Sequence, residues 1–114
     1  MDSPAVVRAL GSLAQDHRLA AYRLLVQAGP DGMAAGALAD ALDIAPSSLS
    51  FHIAQLANAG LVTQRRSGRS ILYAADYGAM GGLMAFLTEN CCGGTACAPL
   101  TACNPVSQTE RDVA

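Results

Sequence analysis

The decisive stretch is Pro46-Ser47-Ser48-Leu49-Ser50-Phe51-His52-Ile53-Ala54-Gln55-Leu56-Ala57-Asn58-Ala59-Gly60-Leu61-Val62. Proline suits the first turn of a helix, and a glycine just past the last periodic residue suits its end. Between them Leu49, Ile53, Leu56 and Ala57 recur at i, i+4, i+7 and i+8, which is one face of a helix. That face is core. Ser47, Ser48, Ser50, His52, Gln55 and Asn58 fall elsewhere on the same helix and are left for water or a partner. The spacing predicts a helix over Pro46–Ala59, with no strong cap at Ala45.

Upstream, Asp43-Ile44-Ala45 is a short turn, and about Ala34 to Leu42 reads as a short helix with Leu38, Ala41 and Leu42 facing inward. Two helices joined by about four residues, the second with a polar exposed face, form a helix-turn-helix. The second helix of such a pair fits a DNA major groove. Downstream of Gly60 the period changes. Leu61 to Arg66 and Ser70 to Ala74 are strand-like and are joined by Ser67-Gly68-Arg69, so a two-stranded hairpin is expected. A hairpin directly after the groove helix is a wing that lies along the DNA backbone.

Charge follows the same boundaries. From Ile44 to Ala75 there is no Asp or Glu, while Arg65, Arg66 and Arg69 give that window +3. The remainder carries −5, and the whole chain −2. Confining positive charge to the predicted helix and hairpin points to a local anionic partner rather than a generally sticky surface. Ser and Gln can hydrogen-bond base edges or phosphates, and Gln can pair bidentately with adenine. Ser47, Ser48, Ser50, His52 and Gln55 are therefore candidate DNA-reading residues. Arg65, Arg66 and Arg69 are candidates for phosphate or minor-groove contact.

Three more helices complete the reading. Ser3-Pro4 opens the first, with Val6, Val7, Leu10, Leu13 and Ala14 as its apolar positions. Asp16 caps the second, His17 to Gln27, whose inner face is Leu19, Ala20, Leu24 and Tyr22. Gly29-Pro30-Asp31-Gly32 breaks the chain after it. Asp76 caps the last helix, to about Glu89, with Met80, Leu83, Met84 and Leu87 apolar and Phe86 alongside. Beyond it the chain has Gly93-Gly94, Pro99 and Pro105 and no periodicity, which predicts a flexible tail. The expected organisation is a DNA-binding and dimerisation domain over 1–90 and a cysteine-rich sensing tail over 91–114.

The chain has 114 residues, 52% hydrophobic and 14% charged, enough to build one core and unlike a disordered segment. Its 23 alanines against five aromatics favour helix over sheet. No apolar run approaches the roughly 18 residues of a membrane helix. Met1-Asp2-Ser3-Pro4 lacks the basic start of a signal peptide, so the expected location is cytoplasmic, without membrane association.

Asp16-His17-Arg18-Leu19, Leu38 to Leu42, and the run from Pro46 to Val62 together resemble the ArsR/SmtB family of bacterial repressors. The resemblance spans about residues 4–90. Its most specific pieces are Ser50-x-His52, Gly60-Leu61-Val62 and Arg65-Arg66-x-Gly68-Arg69. It implies a mainly α winged helix-turn-helix of about five helices plus the hairpin. It also implies a homodimer formed through the first and fifth helices, and repression at operator DNA of genes that handle toxic metals or metalloids.

The sensing chemistry must differ from two of that family's sites. Ala37-Leu38-Ala39-Asp40-Ala41-Leu42 holds no Cys-x-Cys, and the fifth helix offers Asp76 and Glu89 but no histidine. All four cysteines, Cys91, Cys92, Cys97 and Cys103, lie in the last 24 residues. Clustered cysteines in a reducing compartment are more often metal-binding or redox-active than structural. Their CC-x4-C-x5-C spacing lacks the paired CxxC of a zinc ribbon. Adjacent cysteines with ordinary backbone geometry do not easily fill two corners of a tetrahedron. A three-coordinate thiophilic ion is the better match, and softness selects sulfur over oxygen ligands.

One branch of the resembled family carries Cys-Cys-Gly-Gly just past the fifth helix and a third cysteine soon after. The resemblance implies that Cys91, Cys92 and Cys97 bind arsenite as effector, with Cys103 as an alternative or extra ligand and no organic cofactor. Antimonite and methylarsenite are the expected competitors. Thiol redox sensing, or sensing of cadmium, lead or zinc, is the alternative on the same fold. An enzyme such as a thiol reductase is not expected, because CxxC is missing and both histidines are remote in sequence.

Overall fold

The computed structural model describes residues 1–94. In chain order its elements are α1 (Ser3–Leu13), α2 (Asp16–Ala28), β1 (Met33–Ala34), α3 (Ala35–Leu42), α4 (Pro46–Asn58), β2 (Val62–Ser67), β3 (Ser70–Ala75) and α5 (Tyr77–Leu87). A short turn, Cys91–Gly94, follows. Five helices and a wing are present in the expected order. The wing is larger than expected: β1 joins it, giving an antiparallel three-stranded sheet ordered β1-β3-β2. Met33 pairs with Tyr73 and Ala34 with Leu72 on one edge of β3, and Val62 through Ser67 pair with Ala75 through Ser70 on the other.

Local chemistry explains the helix ends. The Asp2 carboxylate, rather than Ser3, accepts the Ala5 N–H at 3.0 Å and starts α1. Gln15 takes the cap expected of Asp16, accepting the Arg18 N–H at 2.9 Å. The Asp76 carboxylate accepts the Ala79 N–H at 3.0 Å and starts α5, as the sequence predicts. Asp43, at φ 55°, ends α3 and makes the turn into α4. Gly60, at φ 83°, ends α4: its N–H donates to the Ala57 carbonyl at 2.9 Å, and the Leu61 N–H donates to the Leu56 carbonyl at 3.0 Å. These are the two bonds of a Schellman closure.

The core lies between α2, α3, α4 and the root of the sheet, around Leu25, Leu38, Leu49, Ile53, Leu56 and Leu61. On α4, Leu49, Ile53 and Leu56 are buried as expected, while Ala57 is exposed. Other faces are turned relative to the sequence reading. On α2 the buried residues are Ala21, Tyr22 and Leu25, with Leu19 46% exposed. On α3 Ala39 replaces Ala41 beside Leu38. On α1 the buried positions are Val6, Ala9 and Ser12, whereas Val7 and Leu10 point to solvent.

The common cause is alanine. Ala9, Ala21 and Ala39 are buried among the core residues of α1, α2 and α3. A pattern weighted toward large apolar residues passes over them. On α5 only Leu83 is buried; Met84 and Leu87 face solvent. α5 is fixed to α2 by Tyr77, whose hydroxyl donates to the Val26 carbonyl at 2.8 Å, with the Leu25 carbonyl at 3.3 Å.

Candidate nucleic-acid interface and thiol pair

The core stripe of α4 decides what its other side presents. With Leu49, Ile53 and Leu56 turned inward, Ser47, Ser48 and Ser50 stand exposed at its N-terminal end. That is the part of a groove helix that reaches base edges. Gln55 is half-buried and lines a cleft of about 260 Å³ with Arg8, Ser12, Arg18 and Asn58. Arg18 is fixed there by a 2.7 Å hydrogen bond from Nε to the Ser12 carbonyl. Gln55 thus stands at the rim of a pocket between α1, α2 and α4, rather than fully on the outer face.

His52 is also drawn aside. Its ring lies 5.5 Å from that of His17 at the start of α2, and its Nδ1 is buried without a hydrogen-bond partner among the described residues. Burial, then His17 and Arg18, hold its pKa below the ordinary 6.5. The imidazole is therefore neutral at physiological pH. The sequence reading missed Phe51, which is 60% exposed and touches His52 edge-on at 5.8 Å. The signal was available: Phe51 is the one large apolar residue out of phase with the core stripe of α4.

In the wing, Arg65, Arg66 and Arg69 are all exposed. Arg65 and Arg66 are neighbours on β2 and point to opposite sides of the sheet. The Arg65 Nη2 reaches the Asp31 carbonyl at 3.4 Å, leaning over the α2–β1 loop. Arg69 follows Gly68, which takes φ 63° at the tip. It lines a second cleft, of about 310 Å³, with Ala34, Ala35 and Gly36 at the start of α3. That helix start has no side-chain cap. Arg69 and the positive end of α3 thus share one concavity, which suits a phosphate oxygen.

The sensing candidates divide. Cys91 and Cys92 follow α5 directly; Cys97 and Cys103 lie outside the described residues. The Sγ atoms of Cys91 and Cys92 are 3.6 Å apart. Ordinary backbone would separate adjacent thiols, but here Asn90, Cys92 and Gly93 take φ of 55°, 58° and 68°. This left-handed turn brings both sulfurs to one side. With ion–sulfur bonds of about 2.3 Å, sulfurs at that separation subtend an angle of about 100° at the ion. That angle suits two sulfur ligands of a tetrahedral or a pyramidal ion alike. Among the described residues no group of three or more His, Cys, Asp or Glu converges on one point.

Fold and surface together define a winged helix-turn-helix. A helix-turn-helix domain model matches residues 13–65. Among solved structures the chain is similar to HlyU from Vibrio cholerae N16961, at 25% identity over 78% of this chain and 94% of that one, with a TM-score of 0.63. A reduced form of HlyU matches at 26% identity over 78% and 90% of the two chains, with a TM-score of 0.59. NolR from Sinorhizobium fredii matches at 29% identity over 75% and 83%, with a TM-score of 0.60. The homodimeric winged helix-turn-helix DNA-binding domain Mb0332 from Mycobacterium bovis shares the fold at 24% identity over 84% and 89%, with a TM-score of 0.60. No curated protein matches the chain. Among the described residues no helix is long and apolar enough to cross a membrane.

Proposed function

We propose that the chain is a transcriptional repressor of the ArsR/SmtB type, which binds operator DNA as a homodimer and lets go when trivalent arsenic is captured by its thiolates. α4 enters the major groove through Ser47, Ser48 and Ser50, with His52 and Gln55 at its flank. Arg65, Arg66 and Arg69 hold the backbone on either side of the wing. Two such heads reach successive grooves about 34 Å apart. The homodimeric state of the Mycobacterium bovis domain supports pairing. So does the solvent-facing apolar surface of α1 and α5, where Val7, Leu10, Met84 and Leu87 lack cover among the described residues.

The observation that carries the sensing half is the pair of sulfurs at 3.6 Å directly beyond α5. Cys91 and Cys92 supply two thiolates and Cys97 or Cys103 the third. Capture fixes the end of a helix that forms the dimer contact, and so alters the spacing or mobility of the two reading heads. A coupling of about 1–3 kcal/mol is typical of such linkage. The reading is tested by titrating anaerobically reduced protein on its operator with arsenite, methylarsenite, antimonite, cadmium and zinc. Arsenite is expected to release the wild type, and the Cys91→Ser, Cys92→Ser variant is expected to stay bound. Release of that variant would place the sensor elsewhere.

A second reading draws on the same sulfur pair and on the likeness to HlyU, one form of which is described as reduced. There, oxidation of the thiols replaces capture of an ion. Release by peroxide, with indifference to every thiophilic ion under anaerobic conditions, would favour it.

A further inference from the structure

Phe51 stands at the centre of the outward side of α4. Each residue of a helix advances by about 100°, which stacks Ser47, Phe51, Ala54 and Asn58 opposite Leu49, Ile53 and Leu56. All four of the first set are exposed and all three of the second are buried. Phe51 leaves 60% of its surface in water, and its one aromatic neighbour among the described residues is His52. Its surroundings on α4 are small or polar and uncharged, within a stretch of chain that holds no acid.

A phenyl ring has no donor or acceptor for a phosphate or a base nitrogen. In the major groove the apolar feature it can meet is the C5-methyl group of thymine. At the same ring position cytosine carries only a hydrogen, and its N4 amino group takes the place of thymine's O4. The ring thus gains an apolar contact at thymine that cytosine does not offer. We infer that Phe51 is a specificity-determining residue that packs on a thymine methyl in each operator half-site. The inference rests on the reading of α4 as the groove helix and adds what that helix recognises.

The test uses full-length reduced protein. An operator is first selected from randomised duplex DNA, and each thymine is then replaced singly by deoxyuridine, which removes the methyl and nothing else. The wild type is expected to weaken roughly fourfold at one thymine per half-site, the value of one buried methyl-sized group. Phe51→Ala should bind more weakly and no longer distinguish thymine from uracil there, while Phe51→Leu retains part of the distinction. Because Phe51 is exposed, both variants should melt like the wild type. Equal affinity for all uracil-substituted operators, or an unchanged uracil penalty in Phe51→Ala, would overturn the inference and leave the groove-helix reading standing. Failure to enrich any sequence would overturn both. A change of oligomeric state in Phe51→Ala would reassign the ring to a protein contact.

Discussion

α4 and α5 differ in where their apolar side chains find cover. α4 is 13 residues long and buries Leu49, Ile53 and Leu56 against its own chain. Its remaining surface is polar except at Phe51 and the small alanines. α5 is 11 residues long and apolar nearly all round, yet among the described residues it buries only Leu83 fully, with Tyr77, Ala79 and Phe86 partly packed against the core. Its N-terminus is fixed by the Asp76 cap and the Tyr77 hydroxyl, and its far end leads to the thiol pair. A helix that satisfies its apolar face internally can devote the other face to a polar partner. A helix that leaves apolar side chains such as Met84 and Leu87 in water offers a surface for a further contact.

The strongest way to break this contrast is to charge the uncovered face. Met84→Glu with Leu87→Glu is expected to turn a dimer into a folded monomer in sedimentation. Operator affinity should fall by about 100-fold or more, because the two half-sites are no longer held by one assembly. A dimer with unchanged affinity would show that α5 is not completed by a second copy. A smaller effect isolates the anchor of α5. Tyr77→Phe removes the hydrogen bond to the Val26 carbonyl and should cost about 1 kcal/mol in denaturant unfolding. Amide exchange should quicken in α5 and not in α4. Equal quickening in both helices would blur the distinction.

The smallest effect belongs to the α4 side. His52 is held below its ordinary pKa of 6.5 by burial, His17 and Arg18. The unfolded chain therefore takes up this proton first as pH falls, and stability declines from about pH 6.5 downward. Above that pH the contribution is complete. His52→Gln should flatten this part of the pH–stability profile, and a profile identical to wild type would assign the acid sensitivity to other groups.

The same contrast explains what was legible in the sequence. α4 and the Gly60 closure could be read because Leu49, Ile53, Leu56 and the glycine are local signals that tertiary packing leaves unchanged. The inner faces of α1, α2 and α3 differ from the sequence reading because Ala9, Ala21 and Ala39 are buried there, and alanine is too common here to mark anything by pattern. β1 was invisible because two residues carry no alternation; it exists through its pairing with Tyr73 and Leu72. The clustering of the cysteines was plain. That adjacent sulfurs would be turned to one side was not, since Cys92 adopts a left-handed backbone that its residue type does not announce.

Gly32 is the point at which the α2–β1 loop meets the wing. It takes φ 78°, and a Cβ there would run into the Tyr73 carbonyl. One residue on, Met33 is paired to that same tyrosine, whose side chain is itself buried in the core. The wing is therefore no free flap hinged on its own two strands. It is stitched at its base to the two residues that lead directly into α3, so that the first helix of the helix-turn-helix and the sheet share one anchor.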